Sequence, residues 1–303
     1  MISRRAALGG AAALLGAATL GAARAAPVAT LGARRIEVAS DGGFSLPLGM
    51  LARDVAPEAL LAELAAAGLS TERAATVLNV TLIRDGEELT LIDCGAGGNF
   101  MPGAGKLGEA LDAAGVDRAK VKRVLFTHAH PDHLWGALDS FDEAAYPEAS
   151  FHIAAAERDF WLSADVLSKL PEDRHAFAAG AQRILKALGD RVQTFRPGAE
   201  VAPGVVALDT AGHTPGHVAF AVSGGGASLV VLGDALTHPA LSFRRPDWAT
   251  GADQDPAQAV ATRKKLLDRL ATDRLPFIGY HLPTPGLGRA EAKDGAWRYL
   301  PGG

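Results

Sequence analysis

The chain has 303 residues, of which 48% are hydrophobic and 21% are charged, with 35 glycines and 17 prolines. This is ordinary globular composition, and it excludes coiled-coil, collagen-like and disordered chains. The formal net charge of −4 argues against a surface that binds nucleic acid. The single cysteine, Cys94, excludes an internal disulfide and a multi-cysteine zinc site. Any metal must therefore be held by histidines and carboxylates.

The first 25 residues have the pattern of a twin-arginine export signal. Arg4 and Arg5 precede a weakly apolar Ala/Leu/Gly run, and a small-x-small exit places cleavage after Ala25. The run holds only four leucines, which disfavours a membrane-spanning helix. We therefore expect a periplasmic or secreted protein without a stable membrane anchor. Removing the segment takes away three arginines and no acid, which leaves a net charge of −7.

In chain order, the first strong element is a β-hairpin, formed by alternating segments at 75–83 and 89–92 around a turn. An Ala-rich helix over 57–67 precedes it, and its place in the fold is not evident. Further strands are predicted over 122–127, 151–154, 205–209, 217–222, 228–232 and 275–280. Helices are predicted over 106–114, from the end of the strand at 151–154 through residue 161, over 177–188 and over 257–271. Strand clusters separated by single helices predict a layered α/β architecture, with helices outside two sheets.

The strongest chemical pattern follows the strand at 122–127. It reads Thr-His-Ala-His-Pro-Asp-His over residues 127–133. Three imidazoles and a carboxylate just past a buried strand are typical of a metal site. Four such groups do not complete a two-metal site, so further ligands are expected at the ends of later strands. His213, Asp234 and His281 stand at such ends.

These residues resemble the metallo-β-lactamase-fold hydrolase superfamily, and within it the methyl parathion hydrolase branch. The similarity runs from about residue 75 to the C-terminus and includes the segments 91–96, 127–133, 159–163, 212–217, 232–234 and 281–286. The resemblance implies an αββα sandwich. Together with the export signal, it divides the chain into a signal peptide (1–25), an N-terminal extension packing on the core (26–74) and a catalytic domain (75–303).

The resemblance also implies the roles of the site residues. His128, His130 and His213 would hold one metal ion, and Asp132, His133 and His281 the other. Asp234 would bridge the two ions, and Asp132 and Asp234 would be the catalytic carboxylates. The ions would be divalent, with zinc favoured, and a bridging hydroxide would attack the substrate. Asp93 would hydrogen-bond a ligand histidine from outside the coordination shell.

The substrate pocket is predicted from the same branch. Phe100, Trp161 and Phe177 fall where aromatic side chains line it, beside the polar centre. Such a pocket suits an ester, a lactone or an organophosphate triester. The chain departs from the family pattern at Cys94, where a Thr or Ser is expected, and a small buried thiol leaves the ligand set unchanged.

Several alternatives stay open. An acyl-homoserine-lactone lactonase is the strongest enzymatic rival. However, the chain has no tyrosine shortly after His213 that could bind the ring oxygen of a lactone. A β-lactamase is disfavoured by Asp234, and a tRNA-processing nuclease is disfavoured by the acidic charge. A periplasmic metal-binding protein without turnover is the rival from another class. The expected partner is a small-molecule substrate and not nucleic acid, and a homodimer stays open.

Overall fold

The computed structural model describes residues 26–302, which form two β-sheets between layers of helices. Within this range each sheet has seven strands, and their spatial order follows the chain order. The first sheet contains β1 (Ala26–Leu31), β2 (Arg34–Leu46), β3 (Ala74–Asp85), β4 (Glu88–Ile92), β5 (Val121–Leu125), β6 (Ser150–Ala154) and β7 (Val192–Phe195). The second contains β8 (Glu200–Ala202), β9 (Val205–Asp209), β10 (Val218–Gly224), β11 (Ala227–Val231), β12 (Phe277–Ile278), β13 (Leu287–Lys293) and β14 (Ala296–Pro301).

Both sheets are mixed. Strands β1 to β4 pair antiparallel, whereas β4 to β7 pair parallel. In the second sheet, β11 and β12 pair parallel and the other neighbours pair antiparallel. The helices are α1 (Pro57–Ala66), α2 (Leu107–Ala113), α3 (Pro131–Leu134), α4 (Ala155–Leu162), α5 (His175–Leu188), α6 (Leu241–Arg244) and α7 (Pro256–Thr272).

Three apolar layers hold the sandwich together. One lies between the first sheet and helices α2 to α5, and a second lies between the two sheets. The third lies between the second sheet and helices α6 and α7. The period-2 alternation of strands explains the division, since Val80 and Leu82 of β3 face the helices whereas Ile83 faces the other sheet. The αββα sandwich expected from the sequence is confirmed.

Residues 26–46, the first part of the expected extension, form two strands of the first sheet. Strands β1 and β2 extend the first sheet, and β2 pairs with β3 from Ala74 to Arg84. The sequence Asp41-Gly42-Gly43 is typical of a turn, yet it forms a bulge inside β2, where the register shifts between Ser40 and Gly43. The predicted signal peptide lies outside the described residues and stays a prediction. Within residues 26–302, no helix is both long and apolar enough to cross a membrane.

A half-buried histidine accepts hydrogen bonds at the start of α6, and its titration predicts a pH effect on stability. His238 Nδ1 accepts the backbone N–H groups of Ala240 and Leu241, at 3.2 and 3.0 Å. Burial lowers the pKa of His238 to about 4. An unfolded histidine titrates near 6.5, so between about pH 6.5 and pH 4 the unfolded chain binds more protons. This histidine therefore makes the protein less stable as the pH falls through that window, by about 3 kcal/mol in total.

The variant His238→Asn tests this expectation. Asparagine offers an acceptor oxygen near the position of Nδ1 and does not titrate, so the hydrogen bonds persist at low pH. Urea unfolding at several pH values should show that stability falls less steeply between pH 6.5 and pH 4 in the variant than in the wild type. An identical slope in both proteins would contradict the assignment.

Candidate metal centre

Seven buried side chains from both sheets meet at one rim of the sandwich. The loop after β5 and helix α3 supply four of them, and the loop between β9 and β10 supplies one. The remaining two follow β11 and β12. All seven residues are at most 9% exposed: His128, His130, Asp132, His133, His213, Asp234 and His281. They are the seven ligands proposed from the sequence, and the fold brings them together.

The first group contains three ring nitrogens and one carboxylate oxygen. His130 Nδ1 lies 2.9 Å from His128 Nε2 and 3.0 Å from His213 Nε2. Asp234 Oδ2 lies 3.3 Å from His213 Nε2 and 4.0 Å from His128 Nε2. Ligand atoms ~2.0 to 2.1 Å from a tetrahedral ion are about 3.3 Å apart, so these four atoms have the spacing of one coordination shell.

The second group lies on the other side of Asp234. Asp234 Oδ1 is 3.2 Å from His133 Nε2 and 3.3 Å from His281 Nε2. Asp132 Oδ2 is 3.4 Å from His281 Nε2 and 3.7 Å from His133 Nε2. The two oxygens of Asp234 therefore face different groups, as a bridging carboxylate requires.

Two unsatisfied atoms show that the second group fits a cation. His133 Nε2 and Asp234 Oδ1 are buried and have no hydrogen-bond partner, although they lie only 3.2 Å apart. A cation beside both atoms would satisfy them. The nitrogen and carboxylate donor set suits zinc and its neighbours. The two groups can therefore each hold one divalent ion.

The outer ring nitrogens fix the orientation of the imidazoles. His133 Nδ1 lies 2.8 Å from Asp93 Oδ2, and His213 Nδ1 lies 3.1 Å from Asp253 Oδ1. Because a carboxylate only accepts, each Nδ1 donates, and in the neutral imidazole that binds a metal each Nε2 then keeps its lone pair. His281 Nδ1 donates to the carbonyl of Val77 at 3.0 Å.

Asp93 also orients a second histidine, through Thr127. The Thr127 hydroxyl donates to Asp93 Oδ2 at 2.9 Å and therefore accepts from His128 Nδ1 at 3.0 Å. The backbone N–H of Thr127 donates to Asp93 Oδ1 at 2.8 Å. The sequence-based role of Asp93 as a partner of a ligand histidine agrees with this geometry. Asp253 was not predicted, because its contact with His213 spans 40 residues and belongs to no motif.

The two groups differ in their electrostatics. Burial, followed by the neighbouring imidazoles, holds the pKa values of His128 and His130 well below the ordinary value. Burial also acts to lower the pKa of His133, but nearby carboxylates, Asp234 first, raise it well above its usual range. Burial acts to raise the pKa of Asp234, but His281 and His133 hold it well below the ordinary value of an aspartate. The imidazoles of His128 and His130 are therefore neutral, whereas the carboxylates of Asp234, Asp93 and Asp132 surround His133 with negative charge.

Glu157, which sequence reasoning missed, ties the two ligand loops together. Its Oε1 accepts from the Ala129 N–H at 2.9 Å and from Trp161 Nε1 at 2.7 Å. Its Oε2 accepts from Thr214 Oγ1 at 2.7 Å and from the Gly216 N–H at 2.9 Å. Burial raises the pKa of Glu157, and the four donors offset part of that effect. One buried carboxylate on α4 thus fixes the backbone between His128 and His130 to the segment that follows His213.

A cavity of about 420 Å³ opens beside the two ligand groups. Phe100 and Phe177 line it, as the sequence predicts. Trp161 does not line this cavity, because it is fully buried and bound to Glu157; it borders a smaller cavity behind His130. Phe44 of β2 also lines the large cavity, and its ring centroid lies 5.6 Å from that of Phe100. The sequence did not indicate Phe44, because residues 26–74 match no motif.

Cys94 lies behind the ligand loop. Its Sγ is 3.3 Å from the carbonyl oxygen of His133 and 3.5 Å from that of Leu134. Burial, followed by the charge of Asp93, raises the pKa of the thiol well above its ordinary value. Cys94 is therefore a neutral donor to the backbone and does not join the ligand set.

An αββα sandwich with two His/Asp ligand groups at the strand ends defines a class of metal-dependent hydrolases. The chain belongs to the metallo-beta-lactamase superfamily, whose family model matches residues 75–280. Among curated relatives, YobT of Bacillus subtilis (strain 168) is 29% identical over 163 residues, which are 52% of this chain and 62% of that protein. The probable metallo-hydrolase Rv2300c of Mycobacterium tuberculosis is 27% identical, over 54% of this chain and 58% of that protein. The chain thus spans about three fifths of these relatives.

Two solved structures match the chain over nearly its whole length. One is AidC, a dizinc quorum-quenching lactonase in complex with a product, N-hexanoyl-L-homoserine. Its TM-score is 0.87 at 27% identity, and the match covers 93% of this chain and 99% of that one. The other is the hydrolase AbOPH of the beta lactamase superfamily, with a TM-score of 0.84 at 29% identity over 92% and 97% of the two chains. Assignment to the methyl parathion hydrolase branch stays a prediction.

Proposed function

We propose that this protein is a dinuclear, zinc-dependent hydrolase that cleaves a carboxylic ester or a lactone. The observation that supports this most is the position of Asp234. Its two carboxylate oxygens face two separate ligand groups beside an apolar cavity. A protein that only stores metal does not need a shaped cavity at the ions. When bound, two such ions supply a hydroxide from water near neutral pH and polarise the oxygen of the bond to be cleaved.

The residues of the chain divide the remaining tasks. Phe44, Phe100 and Phe177 offer apolar walls that hold the hydrocarbon part of a substrate and exclude water. Asp132 and Asp234 also line the cavity. Both oxygens of Asp234 face ligand groups, so Asp132 is the carboxylate left to exchange a proton with the bond that is cleaved. Asp93 and Asp253 keep the ligand imidazoles in one tautomer throughout.

The similarity to AidC supports the choice of ester and lactone bonds, since that protein is a lactonase whose product is an acyl homoserine. Phosphotriesters are a second candidate, favoured by the aromatic wall beside the ligand groups.

A substrate panel with and without a chelator tests the proposal. It contains an aryl ester, an acyl homoserine lactone, a dialkyl aryl phosphate and a cephalosporin, and elemental analysis of the purified protein accompanies it. We expect about two zinc ions per chain and turnover of the ester or the lactone. The chelator should abolish that turnover and added zinc should restore it. Turnover of the cephalosporin alone, or turnover that a chelator does not affect in metal-free protein, would contradict the proposal.

A further inference from the structure

A second, smaller cavity adjoins the first at the metal centre. Its volume is about 250 Å³, which exceeds the ~30 Å³ share of one liquid water several-fold. His130, Arg174 and Phe177 line both cavities, so the two meet beside the first ligand group. A substrate whose scissile bond lies at the ligand groups can therefore extend into both.

The two cavities differ in chemistry. Apart from the ligand residues, the walls of the larger cavity are mainly apolar side chains of β2, the segment 47–51, Phe100 and Phe177, and Asp173 and Arg174 stand at its border. The smaller is bordered by three cationic side chains, Arg53, Lys169 and Arg174, and by one carboxylate, Asp253. Asp253 is already engaged, since it accepts from Arg263 Nη2 at 3.1 Å and from His213 Nδ1 at 3.1 Å. The smaller cavity therefore has an excess of positive charge.

Arg174 is the cation best placed to meet a ligand there. Arg53 and Lys169 are exposed at the rim, and each pairs with an exposed carboxylate that does not line the cavity, Asp54 at 3.4 Å and Asp165 at 2.9 Å. Arg174 is half-buried. Among residues 26–302 it forms no ion pair, since its polar contact is one hydrogen bond from Nη2 to the carbonyl of Gly251 at 3.2 Å.

Packing also limits where the guanidinium can go. Its central carbon lies 5.2 Å from the ring centroid of Phe177, over the aromatic face. Phe177 lines both cavities, and its ring centroid lies 5.9 Å from that of His130. A guanidinium held this way, with most of its five donors free, is suited to bind a carboxylate.

We propose that the smaller cavity is a subsite for an anionic group of the substrate, bound by Arg174. The substrate class is then an ester or lactone that has an apolar part on one side of the scissile bond and a carboxylate, separate from that bond, on the other. This inference rests on the proposed function, because it assigns the second arm of the same site. A neutral acyl homoserine lactone would fill only the apolar arm.

Three matched phenyl esters test the subsite in the zinc-loaded enzyme. Phenyl hexanoate is the neutral reference, monophenyl adipate adds a carboxylate to the acyl end, and 4-carboxyphenyl hexanoate adds one to the leaving group. We expect kcat/KM for one of the two charged esters to exceed that for the neutral ester by about tenfold. In Arg174→Gln this preference should disappear, and Arg174→Lys should keep part of it.

Arg183→Gln is the matched control. Arg183 is an exposed residue of α5 that pairs with Asp142, so this variant removes the same charge away from the two cavities. It should leave the preference unchanged. If the neutral ester is cleaved but neither charged ester is preferred, or if Arg174→Gln and Arg183→Gln change the preference equally, the subsite is wrong while the proposed function stands. If none of the three esters, nor any ester or lactone of the panel, is cleaved, the proposed function itself fails.

Discussion

Asp234→Ala is expected to lower the metal content from two ions per chain to one or fewer and to abolish hydrolysis. Each oxygen of Asp234 lies within 3.3 Å of a ligand nitrogen in a different group. Without the shared carboxylate, two dications held by the two groups would repel each other with less negative charge between them. Loss of one ion removes several kcal/mol of transition-state stabilisation, so kcat/KM should fall at least about a thousandfold.

The measurement is metal content by elemental analysis, together with the rate on the best ester or lactone. Asp268→Ala is the control, because Asp268 is an exposed aspartate of α7 away from the rim, and it should retain both ions and the full rate. An Asp234→Ala protein that keeps two ions at an unaltered rate would remove the bridging role.

Glu157→Gln should produce the second large effect, on stability and on the first ligand group together. An amide offers one oxygen and an NH₂ group that cannot accept, whereas the native carboxylate accepts four donors. At least one buried backbone N–H then loses its partner. We expect about 3 kcal/mol lower stability. Metal affinity should fall ~10- to 100-fold, as for other groups that support metal ligands.

Two further variants grade this effect. Thr214→Val removes one donor to Glu157 with little change in shape, so it should cost only about 1 kcal/mol. Glu172→Gln changes an exposed glutamate and should have no measurable effect. Denaturant unfolding and zinc titration by calorimetry provide the two readouts. Wild-type stability and affinity in Glu157→Gln would show that the carboxylate does not hold the loops.

Much of the fold and of the ligand set could be predicted from the sequence because the signals are local. The residues at 127–133 place four metal-ligand candidates on one loop, and strand periodicity marks the ends where His213, Asp234 and His281 lie. The strand over 205–209 agrees with β9, and the helix over 257–271 agrees with α7 to within one residue at each end.

The missed features depend on distant partners. Strands β13 and β14 form a C-terminal hairpin that was not predicted, and all but two of their residues are partly or fully exposed, so no buried run marks them. The predicted strand over 275–280 shortens to β12, because the chain turns at Gly279 towards His281. Glu157 meets Thr214 and Gly216 across more than 50 residues, so no spacing rule identifies it.

Because β2 pairs with β3, the folded domain begins well before residue 75, where the match to the family model begins. A fragment trimmed to residues 75–280 would leave β3 as a bare sheet edge from Ala75 to Arg84, a ready template for self-association. It would also lose the Asp41 carboxylate, which accepts the amides of Ala96 and Leu107 at 2.7 Å each. Shortened or chimaeric versions of this enzyme should therefore keep all residues from 26 onward and not begin at residue 75, where the family match begins.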